Sequence, residues 1–239
     1  MYDIAKKINV KVDWRVSIAT FILIFIFQIF FALNGLFLIS GFSFCLYPII
    51  ALGFTERNNW SELGIRKPEN MTSLLISILL SGVVVILSYI IFSIFIGNTS
   101  SNYFYVVSLK DIELFGINNT PKLGIMLLSG AIFCTMPALT EEIYFRGFMQ
   151  KHLENRFGFK IGNFIQGLCF GLIHIAYCWL IVYDINVIWG MVPSITIVGM
   201  IYGWVRNETN SIFPAIITHS AANFIIFIIM YSIIIPEMI

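Results

Sequence analysis

VSIATFILIFIFQIFFALNGLFLISGFSFCLYPIIALGF, the stretch from Val16 to Phe54, runs 39 residues without a charged side chain. A membrane crossing takes about 20 apolar residues. The stretch is too long for one span and right for two, with Asn34-Gly35 as the turn between them. Further apolar runs follow at Met71–Ile96, Leu123–Leu139, Ile161–Leu180, Ile185–Trp204 and Ile212–Ile235. The pattern predicts an all-α polytopic membrane bundle, one integral-membrane domain over residues 1–239, with about seven spans. Tyr103–Ile117 reads as a loop with some apolar content, and an eighth helix would have to lie there.

Composition agrees. The 239 residues are 59% hydrophobic and 11% charged, with a mean hydropathy of +0.89. An average soluble domain carries about 25% charged residues. A net charge of +1 gives no electrostatic case for nucleic acid. Cys45, Cys134, Cys169 and Cys178 lie in apolar runs without CxxC spacing and read as packing residues. The first apolar run is too long for a signal peptide and has no small-residue cleavage site.

Basic residues give the orientation. With the N-terminus in the cytoplasm, inner segments 1–15, 55–70, 140–160 and 205–211 hold twelve of the fourteen Lys and Arg, leaving Lys110 and Lys122 outside. Trp14 and Trp204 then fall near inner boundaries, and Trp179 and Trp189 near outer ones. Gly167-x-x-x-Gly171 and Gly199-x-x-x-Gly203 read as close helix packing. Pro48 and Pro193 bend their spans, and Pro214 suits the first turn of the last span behind Asn210 or Ser211.

Three polar motifs interrupt the apolar sequence. They are Glu141-Glu142-Ile143-Tyr144-Phe145-Arg146, Phe170-Gly171-Leu172-Ile173-His174 and His219-Ser220-Ala221-Ala222-Asn223. Each sets its polar ends three or four residues apart on apolar sequence, so each reads as one face of a helix. An ionisable group in hydrocarbon costs roughly 2.5–3.5 kcal/mol, so such groups mark function. Glu142 and Arg146 can pair at i,i+4, while Glu141 is rotated by about 100° and points elsewhere. The plain alternative is a solvated helix end with a surface ion pair. Pro137 upstream weakens that alternative, because its missing N–H frees a carbonyl and bends the helix where the carboxylates begin. His174 and the His219/Asn223 pair have a plain reading too, as hydrogen-bonding glue between helices. Phe170, one turn from His174, would form an apolar wall.

Hydrolysis of an amide needs a base for water and donors for the oxyanion. A carboxyl withdrawn from water is the better base near neutrality. Glu141 and His174 can share that water, and His219 and Asn223 can face the oxyanion. Alternatively Glu141, His174 and His219 can hold a divalent metal such as zinc, with one position open. The residues leave both versions standing. HExxH and GxSxG are absent, so neither the common soluble zinc-protease site nor a nucleophile elbow is present.

In their order and spacing, EExxxR, FxxxH and HxxxN resemble the CPBP (Abi, or type II CAAX prenyl endopeptidase) family of intramembrane proteases. Glu62-Leu63-Gly64-Ile65-Arg66-Lys67-Pro68 is similar to a stretch that family often has before its third span. The resemblance covers roughly residues 60–230, with a catalytic core at 120–225. It implies an intramembrane endopeptidase in which Glu141 and His174 activate water and His219 and Asn223 serve the oxyanion or a metal. Glu142 and Arg146 would buttress the site. The partners implied are the bilayer and a membrane-associated peptide, either a prenylated CAAX-type substrate or a bacterial signal or bacteriocin-like one. The Ile, Phe and Asn richness leans towards a bacterial plasma membrane. Two rivals stand beside this: a catalytically silent scaffold or bacteriocin-immunity protein on the same fold, and a proton-coupled transporter. A relay would string its groups across the membrane, whereas a protease gathers them around one water.

Overall fold

The computed structural model describes residues 11–34, 36, 43–99, 101–115, 123–179 and 185–238. Every regular element among them is helical. In chain order they are α1 (Trp14–Leu33), a 3-10 turn (Ser43–Cys45), α2 (Leu46–Gly53), a second 3-10 segment (Arg57–Leu63), α3 (Thr72–Phe95) and α4 (Tyr103–Phe115). Then come α5 (Leu123–Glu142), a π-helical segment (Ile143–Met149), α6 (Gln150–Trp179), α7 (Ile185–Thr209) and α8 (Phe213–Ile229). A π turn (Met230–Ile234) and α9 (Ile235–Met238) end the chain.

Five helical segments among the described residues are long and apolar enough to cross a membrane. One of them, Leu123–Ile175, is 53 residues long. Straight, it would reach about 80 Å, far beyond a hydrocarbon core of about 30 Å. It is not straight. Gly158 takes φ 77°, a conformation glycine adopts without strain, and a side chain on Gly162 would come within 2.8 Å of the Glu154 nitrogen. The chain therefore doubles back, and the two arms are the predicted runs at 123–139 and 161–180, whose last residue lies outside the described ones.

The described part of the second predicted span is Ser43–Gly53, and residues 37–42 of that run lie outside the described ones. α2 packs on the π-helical segment, where the buried Tyr47 ring stacks 5.3 Å from Tyr144. Gly35, the predicted turn, also lies outside the described residues. One expectation is corrected: Tyr103–Ile117, read as a loop, is the 13-residue helix α4 over its described part.

Packing on α3 follows membrane logic, with mostly small or polar residues inside and large apolar ones outside. The buried positions of α3 are Ser73, Ser77, Ser81, Gly82, Val85 and Phe92, while Ile94 and Phe95 on the same helix are 71% and 81% exposed. Hydroxyls join the helices: Ser77 to Thr218 at 2.7 Å, Ser88 to Ser194 at 2.9 Å and Thr20 to Tyr144 at 2.9 Å. Asp13 caps α1 by accepting from the Arg15 N–H, and Ser211 accepts from the Phe213 N–H ahead of Pro214. At the centre lies the π-helical segment, where Tyr144, Phe145, Phe148 and Met149 are fully buried. The stretch 140–160, expected on the inner side, therefore begins inside the protein.

Candidate active site

Glu141 and Glu142 end α5, immediately before the π-helical segment. There the Gln150 N–H reaches back five residues to the Phe145 carbonyl. Such π insertions are frequent at functional sites. Glu142 and Arg146 are both completely buried, with Arg146 Nη1 2.9 Å from Glu142 Oε1. The surface ion pair of the plain reading is excluded. The contact is an ion pair without hydrogen-bond alignment, and Arg146 Nη2 donates instead to the Gly199 carbonyl at 3.1 Å. Phe170 and Tyr202 lie on the guanidinium, 4.1 and 5.0 Å from its carbon.

Glu142 Oε1 also accepts a hydrogen bond from His219 Nδ1 at 2.8 Å. That bond leaves Nε2 as the free ring nitrogen of His219, and it stands 4.0 Å from Glu141 Oε2. Glu141 Oε2 is buried and has no hydrogen-bond partner in the protein. A separation of 4.0 Å is too long for a direct hydrogen bond. Tyr202 stacks on the His219 ring at 4.8 Å, and Phe170 meets it edge-on at 5.6 Å.

His174 Nδ1 lies 2.7 Å from the Phe170 carbonyl. A carbonyl only accepts, so Nδ1 carries the hydrogen and Nε2 keeps its lone pair. Both histidines line a cavity of about 60 Å³ together with Asn223, Phe170 and Tyr202, and with apolar residues of α3, α4, α7 and α8. A water needs about 10–15 Å³ on this measure, so the cavity has room for several.

Asn223 explains Pro137. Proline removes the helical donor to the carbonyl four residues back, which is that of Phe133. Asn223 Nδ2 donates to that carbonyl at 3.3 Å. One amide hydrogen thus ties α8 to α5, and the second remains available.

All seven predicted residues are brought into one connected assembly. The sequence reading pairs Glu141 with His174, but the imidazole standing against Glu141 is that of His219. Among the described residues no three of His, Cys, Asp and Glu form a metal-holding group. The donor types nevertheless suit a metal, since both imidazoles are fixed through Nδ1 and keep Nε2 free. Tyr202 was missed from sequence, as an aromatic in a greasy helix carries no signal of its own.

Comparison with known proteins adds one match. Residues 123–225 fit the family described as Rce1-like, type II CAAX prenyl endopeptidase Rce1-like. No curated protein and no solved structure matches the chain. The matched region begins with α5 and ends two residues past Asn223, so it takes in all three motifs and the whole assembly around Glu142. Over residues 123–225 the chain is thus similar to the Rce1-like type II CAAX prenyl endopeptidases, a family of membrane proteases.

Proposed function

We propose that the chain is an intramembrane endopeptidase that cleaves a membrane-associated peptide with a water held between Glu141 and His219. The observation that carries this is the 4.0 Å gap between Glu141 Oε2, a buried carboxylate oxygen with no partner, and His219 Nε2. Glu142 fixes the ring through Nδ1, in the way a buried carboxylate orients a catalytic imidazole. Arg146 neutralises Glu142, so Glu142 positions rather than reacts.

The steps follow from the donor inventory. Glu141 takes a proton from the water as its oxygen attacks the scissile carbonyl. The second hydrogen of the Asn223 amide faces the developing oxyanion. His174 Nε2, a lone-pair site on the same cavity, accepts from the water and holds its orientation. The proton then passes from Glu141 to the leaving amine as the C–N bond breaks, giving a carboxylic acid and an amine and returning Glu141 to its starting form. The apolar walls from α3, α4 and α7 suit a greasy substrate segment. We place the N-terminus in the cytoplasm and the substrate's approach on that side, in a bacterial plasma membrane.

A second version is supported by the free Nε2 atoms of His174 and His219. With Glu141 they would hold a divalent metal, which would supply a Lewis acid for the carbonyl and a more acidic water. The gathering of ionisable groups at one place favours a protease over a transporter, in which they would be strung across the membrane.

The test is cleavage of a membrane-anchored peptide ending in a CAAX-type sequence, with and without its lipid, by the purified chain in liposomes. Fragments are read by mass spectrometry and bound metal by elemental analysis. The reading expects two fragments from at least one form. Folded protein that leaves both intact contradicts it. Full activity without bound metal removes the metal version, and activity lost on chelation and restored by zinc supports it.

A further inference from the structure

The polar residues do not stop at Arg146. Glu142, Arg146, Gln150 and Glu154 recur at every fourth position through the π-helical segment and into α6. The first three are completely buried, and Glu154 is slightly exposed at 15%. Facing them on α7 are the carbonyls of Gly199 and Gly203. Gly199 accepts from Arg146 Nη2 at 3.1 Å and from Gln166 Nε2 at 3.0 Å. Gly203 accepts from Gln150 Nε2 at 2.9 Å. Gln166 also donates to Asn163 at 2.7 Å, Gln150 donates to Glu154 at 2.6 Å, and Glu154 pairs with Arg206 at 3.2 Å.

These bonds use both hydrogens of each glutamine amide, which fixes the amide orientations. What remains is unpaired. Oε1 of Gln150, Oε1 of Gln166, Nε of Arg146 and Nε of Arg206 are buried without a partner. The first two need donors and the last two need acceptors, and water supplies both. Buried polar groups are seldom left unsatisfied, and buried water is the usual partner. The two glycines let the polar side chains come close against the α7 backbone. A side chain on Gly203 would collide with Asn163, Gln166 and Gln150, and one on Gly199 would press on Phe170 and Arg146. Gly199-x-x-x-Gly203 therefore exposes two carbonyls to a polar seam instead of only closing a helix contact.

We propose that this seam holds a file of waters linking the Glu141–His219 site to the aqueous surface at Glu154 and Arg206. It delivers the water consumed in each turnover. Gln150 and Gln166 are its positioning residues; they touch neither substrate nor the reacting atoms. Twelve residues separate Glu142 from Glu154, about 18 Å of helix. The delivery role rests on the proposed peptidase reading, whereas the hydration of the seam does not.

The test uses the full chain in liposomes with its four cysteines replaced by alanine. Gln150→Cys and Gln166→Cys are exposed to silver ion, a probe close to water in size. Met149→Cys, equally buried and next in sequence, is the control. The seam predicts reaction at positions 150 and 166 at least 10-fold faster than at 149, and equally slow reaction at all three overturns it. In the native background, Gln150→Leu and Gln166→Leu should keep thermal stability and KM while kcat falls 10-fold or more. Gln150→Asn, which keeps both amide hydrogens, should restore part of the loss, a rescue that a purely structural role would not produce. Unchanged kcat in both leucine variants overturns delivery. A native chain without peptidase activity but with fast silver reaction at 150 and 166 removes the proposed function and leaves the hydrated seam standing.

Discussion

Glu142 holds Arg146 and His219 through a single oxygen, Oε1. Removing either partner has different consequences. Arg146→Ala strands a buried carboxylate, which costs on the order of 3–5 kcal/mol. We expect a large fall in thermal stability and loss of activity. Adding Glu142→Gln to Arg146→Met should recover stability, because the charge is gone, but not activity, because His219 loses its charged anchor. Recovery of both would show that Glu142 does not orient His219. The Glu142–Arg146 pairing was legible in the sequence, since i,i+4 spacing on a helix sets it locally. The partner of Glu141 was not. It depends on how α5 crosses α8, and no local spacing records that.

Pro137 and Asn223 show how an element is tuned to the site. The proline frees the Phe133 carbonyl on α5, and the asparagine on α8 takes it. Pro137→Ala would return a helical N–H to that carbonyl and compete with Asn223. The helix itself should gain, since proline is about 3 kcal/mol less favourable than alanine in a helix interior. We expect an equal or higher melting temperature with a kcat reduced several-fold. Lower stability with undiminished kcat would count against the coupling. The sequence announced the freed carbonyl but not its recipient. It also misread α4, because Lys110, Asp111 and Glu113 broke the apolar run, and length alone cannot separate a short helix from a loop. The π-helical segment left no trace in composition. The four-residue repeat from Glu142 to Glu154 was there to be read, and it becomes meaningful once Gly199 and Gly203 are seen across from it.

At the scale of the whole molecule, large apolar side chains cover the outside while the inside combines an apolar core with serines, glycines and the charged assembly, an arrangement suited to lipid. The helical bundle was readable because runs of about 20 apolar residues admit little else. The number of spans was less so, since of the second apolar run only Ser43–Gly53 is a described helix. The charge pattern predicts that Asn58, in the 3-10 segment after α2, faces the cytoplasm. In intact cells Asn58→Cys should resist a membrane-impermeant thiol reagent and react after permeabilisation, whereas equal labelling in both would reverse the orientation. The central claim is that this bundle encloses a peptidase whose base is Glu141. The most direct measurement is single-turnover cleavage of a membrane-anchored peptide by the native chain and by Glu141→Gln, with melting temperatures taken alongside. The account predicts cleavage by the native chain and none detectable in the variant at unchanged stability; cleavage at the native rate by Glu141→Gln would contradict it.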